Sequence, residues 1–202
     1  MITYSENYLY GFETKEIDNQ ALYGDCIHAE QIILGYFPQK ESGWYGNKTS
    51  AANRQYNLLT FPSKHLNQLY HLLVKNIAPL LEEQKAYMIK SWMNVYRKDD
   101  KISMHSHWPS ECKAWHGFYC VNVGENESET IYKIPNVKDE IHITSKNGLI
   151  VIGKSDGDKH RSSAWTKTDN FRITLAFDIV PIDFLIDAPI NHFIPFKFKN
   201  YK

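Results

Sequence analysis

The chain has 202 residues, with 23 lysines and arginines balanced by 23 aspartates and glutamates. That length suits one domain and buries about 70% of the surface its unfolded form exposes, so folding needs neither disulfides nor a structural metal. The charge balance excludes a non-specific polyanion binder, which needs a basic excess to release phosphate counterions. No run approaches the ~20 apolar residues of a membrane span, and the first eighteen residues lack the basic flank and apolar stretch of a secretory signal. The three cysteines, Cys26, Cys112 and Cys120, form neither a CxxC pair nor an even set, which predicts reduced thiols and a cytoplasmic protein. Nine histidines in a chain that is 14% aromatic are the first place to look for chemistry.

No repeat, low-complexity tract or Pro/Gly/Ser linker divides the chain, so a single domain spans 1–202, with a helical layer over 1–87. The first helix runs from about 19 to 35, where Ala21, Leu22, Cys26, Ile27, Ile32 and Ile33 make an apolar stripe. Residues 39–56, rich in Gly, Ser and Asn, read as an exposed loop. A second helix starts after Pro62, with Ser63 as its cap and Leu66, Leu69, Tyr70, Leu72, Leu73, Ile77, Leu80 and Leu81 at helical spacing.

From residue 88 the pattern turns to strands, at 88–96, 117–123, 129–134, 140–144, 148–153 and 171–180, each short and rich in β-branched or aromatic residues. Lys146-Asn147-Gly148 marks a tight turn between two of them. A helical layer followed by such strands predicts a mostly β protein, an antiparallel barrel or sandwich with helices buttressing one side. The core then occupies 88–180 and a C-terminal extension 181–202. In the last strand Phe171, Ile173, Leu175, Phe177 and Ile179 share one face, and Arg172, Thr174, Ala176 and Asp178 the other. An arginine in the middle of such a strand needs an anionic partner.

Three features carry chemistry. His105 and His107 stand two apart, so on a strand both imidazoles face one way and can grip one ion. His160 follows the strand at 148–153; if that strand lies beside the His105–His107 segment, His160 supplies a third ligand. Arg172 and Thr174 come next. Each alone has a plainer reading: surface histidine pairs are common, a single loop histidine is seldom a ligand, and Arg172 could pair with Asp178 or Asp156. Their order in the chain is what favours a metal site.

In that order the chain resembles the Fe(II)/2-oxoglutarate-dependent oxygenases. The resemblance rests on Ser91-Trp92-Met93-Asn94-Val95-Tyr96, His105-Ser106-His107-Trp108, Gly117-Phe118-Tyr119-Cys120-Val121, Gly148-Leu149-Ile150-Val151-Ile152, His160 and Phe171-Arg172-Ile173-Thr174-Leu175-Ala176-Phe177. It covers about residues 88–180 and is greatest to small oxygenases of bacteria and tailed phages. It implies a double-stranded β-helix (jelly-roll, cupin-like) core holding Fe(II) on His105, His107 and His160. It further implies that the far carboxylate of the co-substrate 2-oxoglutarate pairs with Arg172, supported by Thr174 and Tyr96. Hydroxylation of a small-molecule or peptide substrate, with release of succinate and CO2, would be the activity. Two positions depart from the pattern. His107 stands where most of the superfamily has Asp or Glu, which leaves a site with one more positive charge, and Cys120 stands where many relatives have tyrosine.

Two other readings use the same residues. His105, His107, Glu111 and His160 resemble the metal motifs of cupins, which implies metal chemistry without 2-oxoglutarate. A non-catalytic jelly-roll binding module would instead recognise a partner through Trp44, Tyr45, Trp108, Trp115 and Trp165, read here as loop residues around an open mouth, with His116 among them as a mouth residue or a support for the metal ligands. His28, His65, His71, His142 and His192 acquire no role.

Overall fold

A computed structural model describes residues 1–36, 56–185 and 192–198; the loop expected at 39–56, with Trp44 and Tyr45, lies almost wholly outside them. An N-terminal hairpin, β1 (Ile2–Ser5) and β2 (Leu9–Glu13), leads into helix α1 (Asn19–Tyr36). Asp18 begins α1 by accepting the amide protons of Gln20 and Ala21 at 3.1 Å each, which satisfies two of the donors that a helix start leaves open. Helix α2 (Lys64–Ile77) starts at Ser63, whose Oγ accepts from the amides of His65 and Leu66, as its sequence position predicts. Strand β3 (Tyr87–Tyr96) follows, then β4 (Trp115–Asn122), β5 (Glu129–Lys133), β6 (Ile141–Thr144), β7 (Leu149–Lys154), β8 (Lys159–Ser162), β9 (Arg172–Pro181) and β10 (Ile194–Lys197).

These strands form two antiparallel sheets, a large one in the order β1-β2-β7-β4-β9-β3-β10 and a small one in the order β6-β5-β8. The expected mostly β architecture with buttressing helices is therefore observed, with one revision. The N-terminal part is not purely helical, because β1, β2 and the C-terminal β10 extend the edges of the large sheet.

The alternation along β9 explains how the layers pack. Ile173, Leu175, Phe177 and Ile179 join Leu22, Cys26, Ile33, Leu66, Leu69 and Leu73 in the core between the helices and the large sheet. The opposite face of the large sheet meets the small sheet, where Leu9, Phe118, Cys120, Tyr132, Ile143 and Val151 form a second core. A double row of side chains sandwiched on both faces is what the near-continuous burial of β4, β7 and β9 records. Gly117 lies where the sheet is most crowded. A Cβ there would stand 2.1 Å from the Val151 carbonyl oxygen and 2.7 Å from the Phe177 ring, so only glycine fits.

Candidate active site

The sequence-predicted histidines meet at one end of the space between the sheets. His105 does not lie on a regular strand. It forms a single antiparallel bridge to His160, with amide-to-carbonyl bonds of 3.0 and 2.9 Å in the two directions. His160 is not in a loop but on β8, opposite Tyr132 of β5. The strand at 149–154 pairs with β2 and β4 in the other sheet, so it is β8, not β7, that brings the third histidine to His105. Ring centroids are 4.3 Å apart for His105 and His160, 5.2 Å for His105 and His107, and 5.1 Å for His107 and His160. One ligand atom from each residue lies within 4.8 Å of the other two. Because an imidazole-to-metal bond is about 2.0–2.1 Å, small ring rotations bring all three onto one ion.

Hydrogen bonds orient two of these rings. His105 Nδ1 is 2.9 Å from the Ser103 carbonyl oxygen, an acceptor, so Nδ1 carries the proton and Nε2 keeps its lone pair. His107 Nδ1 is 2.6 Å from Asp178 Oδ1, while its buried Nε2 has no hydrogen-bond partner among the described residues. His160 Nδ1 is likewise buried and unpartnered. Orphaned imidazole nitrogens are costly in a protein interior unless a ligand completes them. The donor set therefore fits a borderline divalent metal such as Fe(II).

Three residues of the cluster were not legible as part of it: Asp178, Asp158 and Trp92. Asp178, on β9, accepts from the His107 ring and from Trp108 Nε1 at 2.9 Å. It is thus a partner of His107 and not of Arg172. The excess positive charge expected from a histidine at position 107 is offset by this carboxylate, held one residue further from the ion. His116, on β4, is 1% exposed, and its Nε2 lies 2.8 Å from Asp158 Oδ2. Its ring stacks on His107 at 4.4 Å and on His160 at 5.0 Å, and Trp92 of β3 covers the other side of His107 at 5.9 Å. His116 is an interior residue and does not lie at a mouth. The register explains the grouping: His116 and Asp178 are direct cross-strand neighbours on the inner face of the large sheet.

The electrostatics separate the histidines. Burial, reinforced by His107, pushes His105 down to about 4. Burial and the surrounding histidines hold His160 well below the usual range. Burial also opposes the charged form of His107, but Asp178 outweighs it and raises His107; reciprocally, His107 overcomes the burial of Asp178 and lowers it. His105 and His160 are therefore neutral and ready to donate lone pairs at neutral pH.

Arg172 lies on the same inner face of β9, six residues from Asp178, a separation of about 20 Å between their backbones. It is 0% exposed, and its guanidinium meets only neutral groups: Thr130 Oγ1 at 3.5 Å, Ser145 Oγ at 3.4 Å and the Ser163 carbonyl at 3.5 Å. Those contacts are long for N–H···O bonds, Arg172 Nε has no partner, and no carboxylate pairs with the side chain among the described residues. Tyr96, its cross-strand neighbour, lies under the guanidinium at 4.5 Å. Thr174 is buried beside Asn94, whose amide donates to its Oγ1 at 3.5 Å; the hydrogen bonds of Arg172 go to Ser163, Thr130 and Ser145 instead. Asn94 Oδ1 and Tyr132 Oη are also buried without hydrogen-bond partners among the described residues. Cys120 shares this face, and burial pushes its thiol up to about 11, even though Arg172 acts to lower it.

Glu111 is exposed in a short 3-10 turn (Ser110–Cys112) and belongs to neither of the two groups of metal-ligating side chains among the described residues. The tryptophans also separate. Trp165 is fully buried and donates to the Asn170 carbonyl, and Trp115 lies on β4 in the core; of these three expected loop residues it is Trp108 that borders the histidine cluster, beside Trp92. All three cysteines are free and buried.

No family model matches the chain and no curated protein matches it, whereas solved structures do. An oxidoreductase of the 2OG-Fe(II) oxygenase family from Burkholderia pseudomallei superimposes with a TM-score of 0.55 at 12% identity, covering 87% of this chain and 86% of that one. A prolyl-4-hydroxylase from Pseudomonas putida gives 0.55 at 9% identity over 86% and 91% of the two chains. The non-haem α-ketoglutarate-dependent carbocyclase SnoK of nogalamycin biosynthesis gives 0.57 at 11% identity over 85% and 79%. At these identities the shared property is the fold. The protein has the double-stranded β-helix in which those oxygenases are built.

Proposed function

We propose that the protein is a non-haem Fe(II)- and 2-oxoglutarate-dependent dioxygenase that hydroxylates a small-molecule or peptide substrate, with release of succinate and CO2. The observation that carries this reading is Arg172, a wholly buried guanidinium with neutral partners only, on the same inner face as the residue that orients His107. A buried cation without an anion is unfavourable unless a ligand supplies one, and the planar fork of arginine suits a carboxylate held by two parallel bonds.

In this reading His105, His107 and His160 hold Fe(II), with Ser103 and Asp178 fixing the orientation of two of the rings. Arg172 takes the far carboxylate of 2-oxoglutarate. Tyr96 packs against that guanidinium, and Thr174 and Asn94 line the floor between cation and metal. When bound, Fe(II) would be chelated by the keto acid and would supply the oxidising chemistry. The chain's own residues would position both partners and exclude water: Tyr132 packs on His160 at 4.9 Å and Trp92 on His107 at 5.9 Å. The exposed position of Glu111 disfavours the cupin-type reading, which needs that carboxylate on the metal.

Arg172→Met tests the assignment, because methionine retains the apolar stem and removes the charge. Calorimetric titration of the Fe(II)-loaded protein with 2-oxoglutarate under anaerobic conditions should show affinity falling by about 10–100-fold, the worth of a charge-assisted contact. Metal content should not change, and the ligand-free variant should melt no lower than the parent, since an unpaired buried charge has been removed. Unaltered affinity for 2-oxoglutarate would contradict the proposal.

A further inference from the structure

The histidine cluster contains a second group of donors besides the one used above. His116, Asp158 and His160 also bring one ligand atom each to within 4.8 Å of the others. Its composition, two imidazoles and one carboxylate, is the one that position 107 lacks. His116 and Asp158 are 1% and 4% exposed, so a carboxylate and an imidazole are held in contact away from water. His160 belongs to both groups, and its buried Nδ1 has no hydrogen-bond partner among the described residues. The rings of His116 and His160 are parallel to within 7° at 5.0 Å.

We propose that the cluster offers a divalent metal ion a second position, on His116 Nε2, Asp158 and His160, as an alternative to the position on His105, His107 and His160. His116 Nε2 and Asp158 Oδ2 are 2.8 Å apart. An ion with bonds of about 2.0–2.2 Å to nitrogen and oxygen enters between them after a widening of roughly half an ångström. Any proton on Nε2 then leaves to solvent or passes to Nδ1 of the same ring. A neutral imidazole ligates one ion at a time, so the shared His160 makes the two positions alternatives. The second includes a carboxylate, and two of its three residues are buried; the first has three imidazoles, each partly exposed. An ion in the second position withdraws His160 from the first and leaves only His105 and His107 there. The carboxylate-containing set suits Mn(II), Fe(II), Co(II) and Zn(II).

Cobalt(II) alone is the probe, with no 2-oxoglutarate in any arm, so the outcome is independent of the dioxygenase reading. The variant H105A/H107A destroys the first position and should still bind one equivalent of Co(II), seen by its visible d–d absorption, while far-ultraviolet circular dichroism confirms folding. Adding Asp158→Cys to that variant should keep the stoichiometry and introduce a thiolate-to-cobalt charge-transfer band absent from the parent. A folded H105A/H107A protein that binds no Co(II) overturns the proposal. So does binding in the Asp158→Cys protein without the thiolate band. Should the Asp158→Cys protein fail to fold, His116→Gln in the same background reads the same point: binding should fall at least about tenfold, and unchanged binding overturns the second position.

Discussion

Asp178 shows how one side chain sets the character of the candidate site. By accepting from His107 Nδ1 it fixes the tautomer, turns the unpartnered Nε2 towards the cluster and supplies the negative charge that a histidine at 107 cannot. Asp178→Asn keeps the shape and removes the charge. Affinity for Fe(II), measured by competition with a chromophoric chelator, should fall by about 10–100-fold, as expected for a residue that orients a metal ligand. Unchanged affinity would show that His107 is not a ligand. His105, His107, His160 and Arg172 were legible in the sequence because histidine spacing and strand order mark them directly. Asp178 was placed on the correct face of its strand by alternation, but its partner was not, because the cross-strand register that sets it beside His116 is a tertiary fact. Asp158 gave no signal, since a loop aspartate beside a turn glycine reads as solvated, yet here it is buried against His116. Trp108 borders the cluster, whereas Trp115 and Trp165 read as loop residues only because an isolated tryptophan carries no periodicity.

At the scale of elements, the interior of the large sheet depends on close packing of β4 between β7 and β9. Gly117→Ala places a methyl group against the Val151 carbonyl and the Phe177 ring. Overpacking of this kind typically costs about 1–3 kcal/mol. Urea denaturation of the variant should show that loss of stability, and a midpoint equal to the parent's would contradict the assigned register. The long strands and both helices were legible because their apolar periodicity is strong. β1 and β2 were missed because they precede the first helix and are short. β8 (Lys159–Ser162) has no apolar residue at all, and backbone pairing, with β5 on one side and His105 on the other, makes it a strand. β10 carries Pro195, which suits only an edge, and it lies at the edge of the sheet. The missed strand β8 mattered most, because it carries His160.

For the whole molecule, the site stands at the meeting of two sheets, so its histidines couple metal, protons and stability. In the metal-free protein burial lowers His105 from 6.5 to about 4, and burial with the neighbouring histidines holds His160 well below the usual range. Unfolded, both regain ordinary histidine behaviour. Between pH 6.5 and 4 these two histidines therefore bind more protons in the unfolded chain than in the folded one, so the stability they contribute falls as pH falls through that window. Thermal melts of the metal-free protein should show this decline, and His160→Ala should make it shallower; a slope identical to the parent's would contradict the burial of a neutral His160. Among the described residues no helix is long and apolar enough to cross a membrane. The two halves of the interior, the histidine cluster and the isolated Arg172, are joined by one face of β9, and the proposed 2-oxoglutarate would span them. Visible absorption of the protein with Fe(II) and 2-oxoglutarate under anaerobic conditions tests this most directly. A metal-to-ligand charge-transfer band that needs both additions and weakens in the Arg172→Met variant is expected; no band at saturating concentrations of both would rule out co-substrate chelation at this site.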